Sequence, residues 1–199
     1  GAVIVHNGNI IGEGYHEKFG SAHAEVNAVN NVKDKSILPE SELYVSLEPC
    51  SFHGKTPPCT DLILKYNFKK VIIGSVDPNP KVSGKGIQIL KDAGIDVAYG
   101  ILADKCDKLN KRFFTNQIKK RPYIIIKYAQ TKDGFIARDD FSSKWISNEE
   151  SRKLVHQWRA EEDGIMVATN TAKYDNPNLN VRLVKGNNPI RFVLDKDLK

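Results

Sequence analysis

Four side chains in the N-terminal half have the types and spacing for metal chemistry: His23, Glu25, Cys50 and Cys59. A neutral imidazole and two thiolates are good zinc ligands, and three protein ligands leave a position open for water. Zinc in such a site lowers the pKa of its water towards ~7. Glu25, two residues after His23, is an acid that can move protons at that water. Cys59 falls just before an expected helix, whose dipole and free N–H groups favour a thiolate. Positions i and i+2 diverge on a regular helix, so His23 and Glu25 converge only if His23 stands in the entry turn. Taken singly, each ligand reads as a small buried thiol or a satisfied helix-end imidazole. Cys106 stands alone and reads as structural.

The elements that must position these groups follow from pattern. Residues 2–6 and 9–15 flank Asn7-Gly8, the favoured type I′ pair, which predicts a β-hairpin. Ala24, Val26, Ala28, Val29 and Val32 have helical spacing and predict a helix over 23–32. Strands over 43–48, 71–76 and 95–99 alternate with helices over 60–67 and 86–93, the signature of an α/β domain with a largely parallel sheet. Residues 103–120 form one long polar helical pattern, stopped by Pro122. A second alternation follows: a strand over 123–128, a helix capped by Ser147 with Glu149 and Glu150 in its first turn, and strands over 165–168 and 190–194.

The 199 residues suit two units, and 40% apolar with 27% charged residues excludes a disordered or collagen-like chain. No apolar run approaches the ~18 residues of a membrane span. No charged-then-apolar leader follows Gly1, and three cysteines make no disulfide framework, so the expected compartment is the reducing cytoplasm. Residues 1–100 carry ten lysines and no arginine against eleven acids, whereas 101–199 carry twenty basic and thirteen acidic side chains. The excess concentrates in Lys105, Lys108, Lys111, Arg112, Lys119, Lys120 and Arg121. Such a stripe suits nucleic acid or, as favoured here, a solvated linker helix. The slightly acidic first half argues against gripping a polynucleotide backbone.

His-x-Glu followed by Pro-Cys and a second Cys is the grammar of zinc deaminases. His23-Ala24-Glu25-Val26, with Glu48-Pro49-Cys50-Ser51-Phe52-His53-Gly54-Lys55-Thr56-Pro57-Pro58-Cys59, resembles the bifunctional riboflavin-biosynthesis deaminase–reductase family. Most zinc deaminases space the two cysteines as Cys-x-x-Cys; here a longer loop intervenes, as in that family. Val76-Asp77-Pro78-Asn79-Pro80, Lys127-Tyr128-Ala129, Trp145-Ile146-Ser147, Arg159-Ala160 and Asp175-Asn176-Pro177 also match, over essentially the whole chain.

The resemblance implies a cytidine-deaminase-like three-layer α/β/α domain over 1–102, a linker helix over 103–121, and a partial dihydrofolate-reductase-like α/β domain over 122–199. The first would deaminate a diaminopyrimidinone ribosylamino 5′-phosphate and the second reduce its ribose to a ribityl chain with NADPH. By motif, His23, Cys50 and Cys59 would hold zinc and Glu25 would be the catalytic acid–base. His16, Lys55, Asp77 and Asn79 would contact the deaminase substrate. Lys127 would lie near the reacting sugar, with Ser143, Arg159, Leu179 and Arg182 at the reductase substrate and Ala129, Trp145, Thr171 and Asp175 at the cofactor. Partners would be a phosphorylated pyrimidine and further copies of the chain, with neither nucleic acid nor membrane.

By the same resemblance the sequence reads as a segment cut within both domains, with reduction not expected from residues 1–199 alone. Two other readings stand beside it. A free-base or nucleic-acid deaminase would show Cys-x-x-Cys. A binding protein with purely structural zinc would close the site with a fourth ligand, for which His53 is the candidate.

Overall fold

The computed structural model describes residues 1–142 and 145–197, in two compact units, Gly1–Ile124 and Ile125–Lys199. The first opens with a hairpin of β1 (Ala2–His6) and β2 (Asn9–Gly14). Asn7 and Gly8 both have positive φ, 49° and 77°, as a type I′ turn requires. Then come α1 (Ala24–Asn30), a 3₁₀ turn over Lys35–Glu40, β3 (Glu42–Leu47), α2 (Cys59–Tyr66), β4 (Lys70–Ser75), α3 (Lys85–Asp92), β5 (Asp96–Tyr99), α4 (Ala103–Leu109) and α5 (Lys111–Lys119).

The sheet order is β2-β1-β3-β4-β5; β1 is antiparallel to β2 and β3, while β3, β4 and β5 run parallel. Alternate strand residues point to opposite faces, which explains the layers. Ile4, Leu43, Val45, Val71 and Ile73 are buried on one face among Ala28 and Val29 of α1, Ile63 of α2 and Leu90 of α3. At Gly14 an added Cβ would lie 2.4 Å from the Ala28 nitrogen, so α1 presses onto β2 where a side chain cannot fit. On the opposite face Cys106 of α4 packs onto Gly74. The result is the expected three layers, with a mixed sheet.

The basic segment departs from one solvated helix. Asn110, at φ −94° and ψ 14°, separates α4 from α5. Asp107 of α4 accepts a 2.5 Å bond from the Ser75 hydroxyl, so α4 is docked on the five-stranded sheet rather than fully solvated.

The second unit contains α6 (Glu149–Glu161), β6 (Gly164–Ala168), α7 (Thr169–Asp175) and β7 (Ile190–Leu194), with β6 and β7 parallel. The cap of α6 is Asn148, whose side chain accepts from the Ser151 N–H at 2.9 Å, one residue beyond the expected Ser147. Residues 123–128 pair with no strand among the described residues, despite three isoleucines; Ile126 is 83% exposed, and an isoleucine run needs a neighbouring strand to become one. The helix α7 carried no clear apolar period and was missed.

Candidate metal centre and active site

In open parallel sheets, functional loops gather beyond the carboxyl ends of the strands. Here β3 runs through Glu48-Pro49 into Cys50, and β4 runs through Val76 into Asp77. His23 is the N-cap of α1, extended at φ −72° and ψ 167°, and Glu25 lies in the first turn. The entry-turn condition for convergence is met. Asn27 of α1 donates to the Tyr15 carbonyl at 2.7 Å, tying the end of the hairpin to the helix.

His23 Nδ1 lies 3.4 Å from Cys50 Sγ and 3.3 Å from Cys59 Sγ, and all three ligand atoms fall within 4.8 Å of one another. Zinc–sulfur and zinc–nitrogen bonds at tetrahedral angles give N···S edges of about 3.6 Å. The donor set fits that ion. His53 is exposed and stands outside the cluster, so it closes no fourth position here.

The electrostatics are those of a preformed ligand set. The Cys59 thiol hydrogen-bonds Cys50 and holds the Cys50 thiol well below its ordinary value, with His23 and the Cys59 N–H helping. Cys59 is pushed up, first by that bond, then by burial and the charge of Glu25. His23 is raised, chiefly by its bond to Cys50. Glu25 is buried, and burial pushes its carboxyl up.

A cleft of about 240 Å³ opens over this cluster, lined among others by His16, His23, Cys50, Phe52, Lys55 and Thr56. The His16 ring stands edge-on to His23, with centroids 5.3 Å apart, and its Nδ1–H donates to the Ala22 carbonyl at 3.1 Å. Lys55 Nζ sits 4.1 Å over the Phe19 ring. Asp77 and Asn79 do not line the cleft. They occupy the neighbouring loop, where Asp77 is buried and its carboxylate accepts the Asn79 N–H at 2.7 Å. Burial, then Glu48 and Cys50, raise the Asp77 carboxyl.

In the second unit a larger cleft, about 770 Å³, is bordered by Trp145 and Asp175. The Arg152 guanidinium lies 4.4 Å over Trp145, and Phe141 stacks on Tyr174 at 4.6 Å. Thr171 and Asp175 are four apart on α7 and share a face, but only Asp175 lines the cleft. Arg159 donates to the Asn180 carbonyl at 2.6 Å and Arg182 to the Asn180 side chain at 2.9 Å, so the two guanidiniums converge on one residue. Leu179 beside them has φ 50°, while Lys127 is exposed and Ala129 half-buried, both outside the cleft. Ser143 lies outside the described residues.

Sequence reasoning assigned no role to Phe19, Thr56 or Glu48. Thr56 Oγ1 reaches His23 Nε2 at 3.5 Å. Glu48 is buried immediately before the Pro-Cys pair, and an acid in the motif of a strand end was its only sequence signal.

A zinc-type ligand cluster with a buried carboxyl beside it, on a three-layer α/β/α unit, defines the class of zinc deaminase domains. Residues 1–75 match the model of the cytidine and deoxycytidylate deaminase zinc-binding region, and 122–199 match the RibD C-terminal domain. The chain belongs to the RibD family of riboflavin biosynthesis proteins. It is 49% identical to RibD of Actinobacillus pleuropneumoniae and 46% identical to that of Aquifex aeolicus, covering all of this chain and 52% and 56% of those proteins. The crystal structure of the Thermotoga maritima diaminohydroxyphosphoribosylaminopyrimidine deaminase/5-amino-6-(5-phosphoribosylamino)uracil reductase superposes with TM-score 0.92 at 44% identity, over 98% of this chain and 56% of that one. Acinetobacter baumannii RibD gives 0.89 at 40% identity, over 98% and 56%. The chain thus spans about half the length of these relatives.

Proposed function

We propose that residues 1–102 form a deaminase domain that hydrolyses an amino group from a diaminopyrimidinone ribosylamino 5′-phosphate, joined through the helical segment 103–121 to residues 122–199 of an NADPH-dependent reductase domain. The carrying observation is the clustering of His23 Nδ1, Cys50 Sγ and Cys59 Sγ within 4.8 Å of one another, with the Glu25 carboxyl buried alongside. Zinc held by those three atoms would supply a water of lowered pKa.

The chain's own residues do the rest. Glu25 takes a proton at its carboxylate and returns it to the departing amine; burial favours the protonated state it passes through. His16 borders the ring pocket. Lys55 meets the phosphate as a point charge, and Asp77 and Asn79 pair with polar groups of ring or sugar. In the second unit Arg159 and Arg182, converging on Asn180, suit a phosphorylated substrate beside Leu179, and by motif Ser143 would be a further contact. Trp145, Asp175, Thr171 and Ala129 would receive NADPH, and Lys127 would approach the sugar.

The reading places the protein in the cytoplasm, in keeping with its free thiols. Its partners are a small phosphorylated pyrimidine and further copies of itself, which exposed Met166, Phe192 and Leu194 would help bind. No nucleic acid is involved, as the acidic balance of the first hundred residues supports. No described helix is long and apolar enough to cross a membrane.

The test is ammonia release from the zinc-loaded full chain. Release from the phosphorylated pyrimidine, lost on chelation and restored by zinc, is expected. Release from cytidine or guanine, with none from the pyrimidine, overturns the assignment.

A further inference from the structure

Glu48 follows the last residue of β3 and is only 3% exposed. Its Oε2 accepts the backbone N–H of Asp77 at 3.1 Å and of Gly84 at 3.0 Å. Its Oε1 accepts those of Gly86 at 3.0 Å and Ile87 at 3.3 Å. A carboxylate offers about four lone-pair sites and no donor, so this acceptor set is filled. All four donors belong to the segment that leaves β4 and opens α3. Glu48 itself lies two residues before Cys50.

A second observation shows how closely the two segments meet. An added Cβ on Gly86 would stand 2.3 Å from the Pro49 carbonyl oxygen, so the first turn of α3 lies directly on the backbone beside Cys50. Below that contact the Glu48 N–H donates to the Ser75 carbonyl at 2.9 Å. One side chain therefore joins the loop that carries a metal-binding thiol to the loop that carries Asp77 and Asn79.

We infer that Glu48 is a positioning residue of the deaminase site, fixing the Asp77–Asn79 loop against the Cys50 loop so that substrate contacts and metal ligands keep one geometry. The inference rests on the reading of Asp77 and Asn79 as substrate contacts. Glutamine in place of Glu48 would keep the shape while turning an NH₂ group towards two N–H donors, and half of the clasp would be lost.

The test compares Glu48→Gln with wild type in the zinc-loaded full chain. The readouts are KM and kcat for the phosphorylated pyrimidine, zinc content, and hydrogen exchange at the four amides. The expected result is faster exchange at Asp77, Gly84, Gly86 and Ile87 with zinc retained. KM should rise about 10- to 100-fold while kcat changes less than about threefold, because ground-state contacts are displaced and the metal site is not. Gly86→Ala pushes on the same contact while leaving Glu48 in place, its added Cβ meeting the Pro49 carbonyl at 2.3 Å and Glu48 Oε1 at 3.2 Å, and it decides by the same readouts if Glu48→Gln does not fold. A purely structural Glu48 would instead lower zinc content and kcat together at unchanged KM. Unchanged KM in both variants overturns the inference. Asp77→Ala and Asn79→Ala, run alongside, show what fell: if they raise KM, the inference fails alone, and if they do not, the substrate-contact reading fails with it.

Discussion

The backbone N–H of Cys59 donates to the Cys50 sulfur at 3.3 Å, which closes the long loop between the two thiols. The next residue repeats the closure, with the Thr60 N–H on the Cys50 carbonyl at 3.2 Å. Cys59 is the first residue of α2, so the amides that bind Cys50 are helix N-terminal groups with no intrahelical partner. The length of the loop is therefore decoupled from the geometry of the ligands. A spacing far longer than Cys-x-x-Cys still delivers both sulfurs to one imidazole nitrogen, and the loop is free to carry Phe52, Lys55 and Thr56 around the cleft.

Zinc loading should release protons. Cys50 is held low, whereas Cys59 is pushed up and keeps its proton until a metal takes the sulfur. Titrating metal-free protein with zinc in weak buffer containing an indicator dye should show release of about one proton or more per chain. Cys59→Ala should release fewer and should lose its zinc to a chelator that wild type resists. Full zinc occupancy in Cys50→Ala and Cys59→Ala would remove both residues from the ligand set.

Glu25→Gln should cut ammonia release by about 10²- to 10⁴-fold with zinc retained, since glutamine keeps the shape but cannot accept a proton and pass it on. The same change has a stability signature in metal-free protein. Burial raises the Glu25 carboxyl above its ordinary 4.5, so the folded state holds the proton more tightly than the unfolded state. That contribution is fully present below pH 4.5 and is lost as pH rises through the folded value. Thermal melts should show Glu25→Gln more stable than wild type at neutral pH and the difference vanishing in acid. A difference independent of pH would contradict the burial argument.

The hairpin, the three parallel strands and the His23, Cys50 and Cys59 candidates were legible because each is written locally. Asn7-Gly8 specifies its turn, short apolar runs specify β3 and β4, and His23, Cys50 and Cys59 carry their chemistry in their types. What failed was written in contacts. The break at Asn110 and the docking of α4 depend on Cys106 meeting Gly74 and Asp107 meeting Ser75, residues far apart in sequence. Residues 123–128 have strand composition but no strand partner among the described residues. Glu48 looks like any strand-end acid until its four amide donors are seen together.

Lys55 should act through charge held in place by an aromatic face. Its ammonium lies over Phe19, an arrangement worth about 0.5–1 kcal/mol at an exposed site. Lys55→Met should raise KM for the phosphorylated substrate and flatten the rise of wild-type KM with salt. Phe19→Leu should raise KM by only about two- to fivefold, the size of the lost cation–π contact, and should keep the salt dependence. Kinetics at two ionic strengths separate these outcomes; identical salt slopes in wild type and Lys55→Met would mean the phosphate is met elsewhere.

The second unit should weaken as pH falls through the histidine range. His156 is buried on α6, and its Nδ1 accepts the Arg182 backbone N–H at 3.2 Å, a role only a neutral imidazole can play. Burial first, then the charges of Arg159 and Arg182, hold it below its ordinary 6.5. The unfolded state therefore takes up a proton that the folded state refuses, and stability present above pH 6.5 is lost as pH drops towards the folded value. Both tryptophans of the chain, Trp145 and Trp158, lie in this unit, so tryptophan fluorescence reports its unfolding alone. The denaturant midpoint followed at 350 nm or so should fall between about pH 7 and pH 5 in wild type. His156→Gln can still accept the Arg182 N–H through its amide oxygen and does not titrate, so its midpoint should stay level over that range. A wild-type midpoint that holds level, or a Glu-like fall only below pH 5 or so, would show that His156 accepts a proton in place without cost.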